Sequence, residues 1–262
     1  MYLHAYAISI LSWIGHSAHI RGILGINPQP LNFSSLGNFS TLSLFTTLQN
    51  EGKMPSLSWS YTAGAKYREY YTSGAWSIQS PLTRTIPSQT GLKQVYGQLI
   101  FGGYDTSRFD ENTVSFSMAD DVTRDLVVAL QSISYSGSSS ATLLSNPIDI
   151  MIDSTDPYLW LPPDVCTAFE QAFGLTLDSA SGLYLVNDTH RDALLNSNAQ
   201  VSFRISDIKS GGDTITIVLP YAAFDLTAKN PLVTGNSSHY FPLKRANSST
   251  QYTLGRTFLQ EA

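Results

Sequence analysis

Charge is scarce in this sequence: only 13% of its 262 residues are Asp, Glu, Lys or Arg, about half the share usual in globular proteins. No run of Lys or Arg occurs and the net charge is −5, which argues against a surface built to neutralise a phosphate backbone and so against a nucleic-acid partner. Cysteine is nearly missing as well. The single Cys166 can close no disulfide within the chain. Its place on or beside the apolar stripe of a helix reads as a buried free thiol rather than a nucleophile, or as half of a bridge to sequence outside these residues. The five histidines, His4, His16, His19, His190 and His239, show neither His-Glu-x-x-His nor paired-Cys spacing, so no metal centre is expected. Long apolar runs are lacking too. Tyr2 to Ile14 is mostly apolar but too short to span a bilayer, and it has no basic residue ahead of it and no small-residue end. It reads as a strand or a misjudged start rather than a signal peptide, and no transmembrane span is expected.

What fills the gap left by charge is Ser, Thr, Gly and Tyr, beside a hydrophobic content of 42% that suffices for a core. The apolar residues come in short β-branched and aromatic runs broken by Gly, Pro, Asn and Ser, which is strand patterning. Leu57–Tyr61, Gln98–Phe101, Val114–Ser117, Ile148–Ile152, Val201–Ile205 and Ile215–Leu219 are each of strand length. Two segments predict helices. Leu42 to Glu51 spaces Leu42, Phe45 and Leu48 helically before Gly52, and Pro163 to Phe173 opens on proline, stripes Val165, Phe169 and Phe173, and stops at Gly174. An all-β class with two or more short helices follows, and the missing βαβ alternation argues against Rossmann and hydrolase architectures. Ser132 to Ser145 is expected to be an exposed loop or lobe connection. Asn-x-Ser/Thr sequons at Asn32, Asn38, Asn187, Asn236 and Asn247 point to the secretory route and a secreted or extracellular glycoprotein.

One segment carries chemistry: Ile148-Asp149-Ile150-Met151-Ile152-Asp153-Ser154-Thr155-Asp156-Pro157-Tyr158-Leu159-Trp160-Leu161-Pro162. An apolar strand delivers Asp153 and is followed at once by hydroxyl residues and then Leu-Trp-Leu-Pro. A carboxylate at a strand end, held by neighbouring hydroxyls and amides, is suited to acid–base work. Standing alone, Asp153 would be one of many acidic residues at strand ends. Gly15-His16-Ser17-Ala18-His19 approaches a nucleophile elbow, but His19 replaces its last glycine and no helix pattern follows. Asp105, in Gly-Gly-Tyr-Asp, reads as structural. The aromatics Tyr67, Tyr70, Tyr71 and Trp76 read as loop packing rather than a carbohydrate or peptide surface.

The Asp153 segment resembles the signature of pepsin-like aspartic proteases (peptidase A1 type), in which apolar residues, Asp, Thr or Ser, and usually Gly precede an aromatic-Val/Leu-Pro stretch. Arg21-Gly22-Ile23-Leu24-Gly25-Ile26 is similar to the segment that closes the first lobe of that family. Gln98-Leu99-Ile100-Phe101-Gly102-Gly103-Tyr104-Asp105 resembles its apolar-Gly-Gly-x-Asp strand, and Tyr252-Thr253-Leu254-Gly255-Arg256-Thr257-Phe258-Leu259 the closure of its second lobe. The four motifs fall in the family's order. The resemblance implies a pepsin-like bilobal acid protease fold in a divergent, fungal-type member. Residues 1–120 would be the remainder of the first lobe with the central strands, and residues 121–262 the second lobe. It implies an aspartic endopeptidase lineage hydrolysing peptide bonds of protein or peptide substrates at acid pH without a cofactor, with Asp153 catalytic and Ser154, Thr155 and Asp156 supporting its loop.

The same resemblance marks what these residues do not hold. Residues 1 to 21 contain no Asp or Glu, so the first carboxylate of a pepsin-like pair, with its flap, is expected to be missing, the first lobe incomplete and the last strands of the second lobe cut short. The chain alone is then expected to be inactive, monomeric or aggregated. Thr155 stands where the family has Gly, and Asp156 where it has a Ser or Thr whose hydroxyl donates to the catalytic carboxylate. An ionised Asp156 cannot donate and brings like charge towards Asp153, so Asp156→Thr is expected to raise any restored activity. These departures support the alternative of a non-catalytic homologue that binds peptide or cell-wall material.

Overall fold

Short strands with alternating burial build most of the chain, because the β-branched and aromatic runs leave one face to pack and one to face solvent. The computed structural model describes residues 9–12, 21–25, 31–33, 39–65, 67, 96–108, 110–120, 124–235 and 237–262. Gly15–His19, Tyr70, Tyr71, Trp76, Asn38 and Asn236 lie outside the described residues. Among the described residues of the first part of the chain, three antiparallel pairs form. β1 (Ser9–Ser12) pairs with β2 (Arg21–Gly25), β3 (Leu31–Phe33) with β4 (Phe39–Thr41), and, after α1 (Leu44–Asn50), β5 (Trp59–Thr62) with β6 (Gln98–Phe101). Ser43 caps α1 by accepting from Thr46 N, and the buried Phe45 meets Phe101 edge-on at 4.8 Å.

The rest of the chain holds two larger sheets. Its elements are β7 (Val127–Ser136), β8 (Ser140–Leu144), β9 (Ile148–Ile152), β10 (Leu159–Leu161), α2 (Pro163–Phe173), β11 (Thr176–Asp178), β12 (Leu183–Val186), α3 (Asp188–Asn196), β13 (Gln200–Ser206), β14 (Thr214–Pro220), β15 (Leu226–Lys229), β16 (Ser237–Phe241), β17 (Leu243–Arg245) and β18 (Thr253–Leu254). One eight-stranded sheet runs β14-β13-β7-β9-β18-β10-β17, with β8 added against β7, and a four-stranded sheet runs β11-β12-β16-β15. Most pairs are antiparallel, but β9 with β18 and β10 with β17 are parallel.

Helix α2 covers the core because its spacing puts Val165, Cys166, Phe169 and Phe173 on one buried face. Pro163 starts it where no backbone donor is needed, and Gly174, at φ 62°, ends it in a left-handed conformation. Phe169, Phe173 and Tyr221 join Phe224 and Phe241 in a cluster of stacked, tilted and edge-on rings whose centroids lie 4.6 to 6.2 Å apart. Each such buried ring contributes about 1.5–3 kcal/mol by leaving water.

Three elements depart from the sequence expectations. Ser132–Ser145 is not a loop: it is the second half of β7, a turn at residues 137–139, and β8. Ile133, Tyr135, Leu143 and Leu144 face inward while the serines face solvent, so polar composition disguised a laddered hairpin. Val114–Ser117 joins no ladder. Phe116 and Met118 pack on the core, and Ser117 N donates to Asp207 Oδ1. Helix α3 was not anticipated because only Leu194 of it is buried.

Candidate active site

The sheet order around β18 creates the site. β18 lies between β9 and β10, parallel to the first and antiparallel to the second, with Ile152 paired to Leu254 and Leu159 also paired to Leu254. Residues 153–158 must therefore cross over the end of β18, and the backbone of residues 254–256 lies directly beneath them. Asp153 N donates to Leu254 O at 3.1 Å, Gly255 N to Tyr158 O at 3.1 Å, and Arg256 N to Asp156 O at 2.7 Å. A side chain at Gly255 would run into the carbonyl oxygens of Asp156 and Tyr158, far inside the 3.0 Å that real Cβ atoms keep. That close approach is why glycine stands here.

Within the loop Asp153 is held from its own chain. Thr155 donates to Asp153 Oδ1 twice, from its backbone N at 2.8 Å and from its hydroxyl at 2.7 Å, an Asx turn closed by a second, side-chain donor. Ser154 is buried, and Arg256 Nη1 donates to the carbonyl oxygens of Ser154 and Thr155 at 3.1 and 3.0 Å. Thr257 Oγ1 donates to Pro157 O at 2.7 Å, and the following Phe258 and Leu259 are buried. Asp156 is engaged elsewhere: its Oδ1 accepts from Tyr158 N and its Oδ2 from Trp160 Nε1, both at 2.7 Å. Thr155, not the residue after it, thus supplies the hydroxyl donor to Asp153, and Asp156 braces the exit from the loop.

The surroundings combine aromatic rings with two cations, Arg256 and Lys244. Tyr61, from β5, lies close enough to Arg256 that the guanidinium draws its phenol pKa down against a larger upward push from burial. On the other side of the loop the Lys244 ammonium sits 4.8 Å above the Tyr158 ring. Burial holds Lys244 below the usual lysine range, with Asp156 pulling the opposite way. Burial also raises Tyr158, and the Asp156 charge adds to it. The first part of the chain reaches this region directly: Ala63 N donates to Leu259 O at 3.3 Å and Tyr67 donates to Glu261.

Asp153, Ser154, Thr155 and Asp156 therefore share one clamped loop. Arg256, Trp160 and Tyr61 carry no role that the sequence predicts; the available signal was Arg256 beside Gly255, a cation in a chain with few charges. Asp105 serves its own turn, its Oδ1 accepting from Ser107 N at 3.0 Å and Ser107 Oγ at 2.6 Å. Cys166 is fully buried with its Sγ 3.6 Å from Leu161 O and 3.5 Å from Lys244 O. Burial pushes its thiol up to about 12, which leaves no thiolate for chemistry near neutrality. Among the described residues no group of three or more His, Cys, Asp or Glu is arranged to hold a metal ion, and no helix is long and apolar enough to cross a membrane.

A family model described as eukaryotic aspartyl protease matches residues 88–262. A curated relative, the probable aspartic-type endopeptidase opsB of Aspergillus oryzae, is 27% identical over 172 residues, an alignment covering 63% of this chain and 33% of that protein. Among solved structures, the aspartic proteinase from Irpex lacteus superposes with a TM-score of 0.54 at 17% identity, covering 94% of this chain and 64% of that one. At that identity the likeness speaks for the fold alone, and the fold is pepsin-like and mainly β. The chain spans about a third of the curated relative and under two thirds of the solved one.

Proposed function

This chain belongs to the eukaryotic aspartyl protease family, and from that premise we propose that Asp153 is one of a pair of carboxylates that hydrolyse peptide bonds at acid pH. In such a pair one proton is shared: one carboxylate draws a proton from water while the other protonates the substrate carbonyl. The supporting observation is the double hold of Thr155 on Asp153 Oδ1. It fixes one oxygen of the carboxylate and leaves Oδ2 without a hydrogen bond among the described residues.

One carboxylate cannot play both parts. Residues 1–21 contain neither Asp nor Glu, and Asp105, the acidic residue with the most conspicuous motif in the first part of the chain, is committed to its turn. We infer that the 262 residues taken alone do not cleave peptides and that the second carboxylate of the pair lies outside them. In this reading residues 121–262 form the lobe that carries Asp153, with every strand of the eight-stranded sheet drawn from residues 127–254, and residues 1–120 belong with the other lobe. Substrates are proteins or peptides, and the compartment is secretory or extracellular, a reading supported by the five sequons.

The test is cleavage of a denatured protein between about pH 3 and 5, by the chain alone and by a version completed with an Asp-Thr-Gly-bearing first-lobe segment from a relative. Turnover by the completed protein, with none by the chain alone, supports the proposal; pepstatin-sensitive turnover by the chain alone contradicts it. A completed protein that binds peptide and stays inert would favour the non-catalytic reading, which rests on Thr155 standing where the family has Gly and Asp156 where it has Ser or Thr.

A further inference from the structure

Among the sequons, two lie on exposed residues of the described structure, Asn187 and Asn247, and the fold treats them differently. Asn187 is the N-cap of α3. Its Oδ1 accepts from His190 N at 2.9 Å, and its Nδ2, the atom that would carry a sugar, lies 2.7 Å from His190 Nδ1. Asn247 begins the bend Asn247-Ser248 that leads into a 3-10 turn, Ser249–Gln251, between β17 and β18. Its backbone N donates to Gln251 Oε1 at 2.7 Å, while no hydrogen bond among the described residues engages its side-chain amide. We propose that Asn247 is an acceptor for an N-linked glycan and that Asn187 stays unmodified as a helix cap.

The chemistry is transfer of an oligosaccharide from a lipid-linked pyrophosphate donor. Asn247 Nδ2 bonds to the anomeric carbon, the bond from that carbon to the pyrophosphate oxygen breaks, the lipid pyrophosphate leaves, and the amide gives up one proton. The free amide of Asn247 loses no contact in this exchange, whereas at Asn187 a sugar would compete with the His190 imidazole for the same nitrogen.

Strand directions place Asn247 away from the cleft. β9 runs towards Asp153 and β18 runs beside it in parallel, so Leu254 is at the Asp153 end. β10 is antiparallel to β18 and β17 parallel to β10, with Arg245 paired to Leu161, so β17 runs out at the opposite end and Asn247 follows there. The separation is about a strand length, roughly 15 Å for five residues. A glycan on Asn247 therefore leaves the Asp153 loop open to substrate, and it shields a sheet end in a chain with little surface charge to keep it soluble.

The test routes the 262-residue chain into the secretory lumen of a eukaryotic host behind a heterologous leader and maps glycopeptides from the lumenal pool, whether exported or retained. The expected result is a glycan on Asn247 that peptide-N-glycosidase removes, leaving Asp and a one-dalton gain, with Asn187 unmodified. Asn247→Gln should abolish that glycopeptide, while Asn187→Gln should lower thermal stability without changing glycan mass at Asn247. An unmodified Asn247, or a glycan on Asn187, overturns the proposal. Neither result bears on whether Asp153 is catalytic.

Discussion

Replacing Gly255 by alanine should be the most damaging small change in the molecule. The added methyl would overlap the carbonyl oxygens of Asp156 and Tyr158, and neither acceptor can swing aside, because both are backbone atoms of the clamped loop. Relief requires the 153–158 loop to lift off residues 254–256. That movement breaks the Gly255 N to Tyr158 O and Arg256 N to Asp156 O bonds of 3.1 and 2.7 Å and strains the Arg256 contacts to Ser154 O and Thr155 O. Two backbone hydrogen bonds at about 1 kcal/mol each, with a further ~1 kcal/mol for buried groups left poorly paired, give roughly 3 kcal/mol. For a chain of this length 1 kcal/mol moves the unfolding temperature by about 2–4 °C, so the midpoint should fall by roughly 6–12 °C. Differential scanning calorimetry of the wild type, Gly255→Ala and the control Gly103→Ala decides the matter. A Cβ at Gly103 meets only Ile100 Cγ2 at 3.9 Å, so the control should melt close to the wild type. A Gly255→Ala midpoint within a degree of the control would refute the claim that the site is built on this close approach.

Three further outcomes follow from the same geometry. In a completed, active enzyme Thr155→Val keeps the backbone donor to Asp153 and loses the hydroxyl donor; one charge-assisted hydrogen bond of about 1.5–3 kcal/mol corresponds to a roughly tenfold to hundredfold fall in kcat/KM, which Thr155→Ser should largely spare. Asp156→Ala or Asp156→Thr takes the acceptor from Trp160 Nε1 and Tyr158 N and should destabilise the fold by about 1–3 kcal/mol in urea titration, so Asp156→Thr should lower restored cleavage, opposite to the expectation from its sequence position. On the alkaline side, burial raises Cys166 from 9.0 to about 12 and Tyr184 from 10.0 to about 12. A raised folded pKa means the unfolded chain loses its proton first, so stability is intact below about pH 9 and declines towards pH 12. Urea midpoints at neutral pH and at successive steps above pH 9 check this, as does a thiol reagent that should label Cys166 only after unfolding.

Strands and helices were legible wherever a periodic apolar face is also the buried face. Pro163–Phe173 was readable to the residue because proline, stripe and Gly174 agree, and Ile148–Ile152 because its apolar run ends abruptly at Asp153. Ser132–Ser145 was misread because serines on the solvent face hid the inward Ile133, Tyr135, Leu143 and Leu144. Helix α3 escaped notice because its cap, Asn187, and a single buried leucine are weak signals. At the site, sequence brought out Asp153 and the three residues after it. It could not show that Thr155 donates to Asp153 while Asp156 turns to Trp160, since one residue of difference along a turn decides which side chain points back. Nor could it show the role of Arg256, which depends on two segments about a hundred residues apart in sequence meeting at the end of β18.

Whether Asp153 is a carboxylate of the reacting pair is decided by one substitution, Asp153→Asn in the completed protein. The amide keeps the size of the side chain and an oxygen for Thr155 to hold, but it removes the exchangeable proton that the pair must share. Cleavage of a denatured protein at acid pH should drop to the background of the uncompleted chain while the unfolding midpoint stays near that of the unsubstituted protein. Cleavage that persists unchanged in Asp153→Asn would mean that the 153–158 loop is structural and that the catalytic carboxylates lie elsewhere.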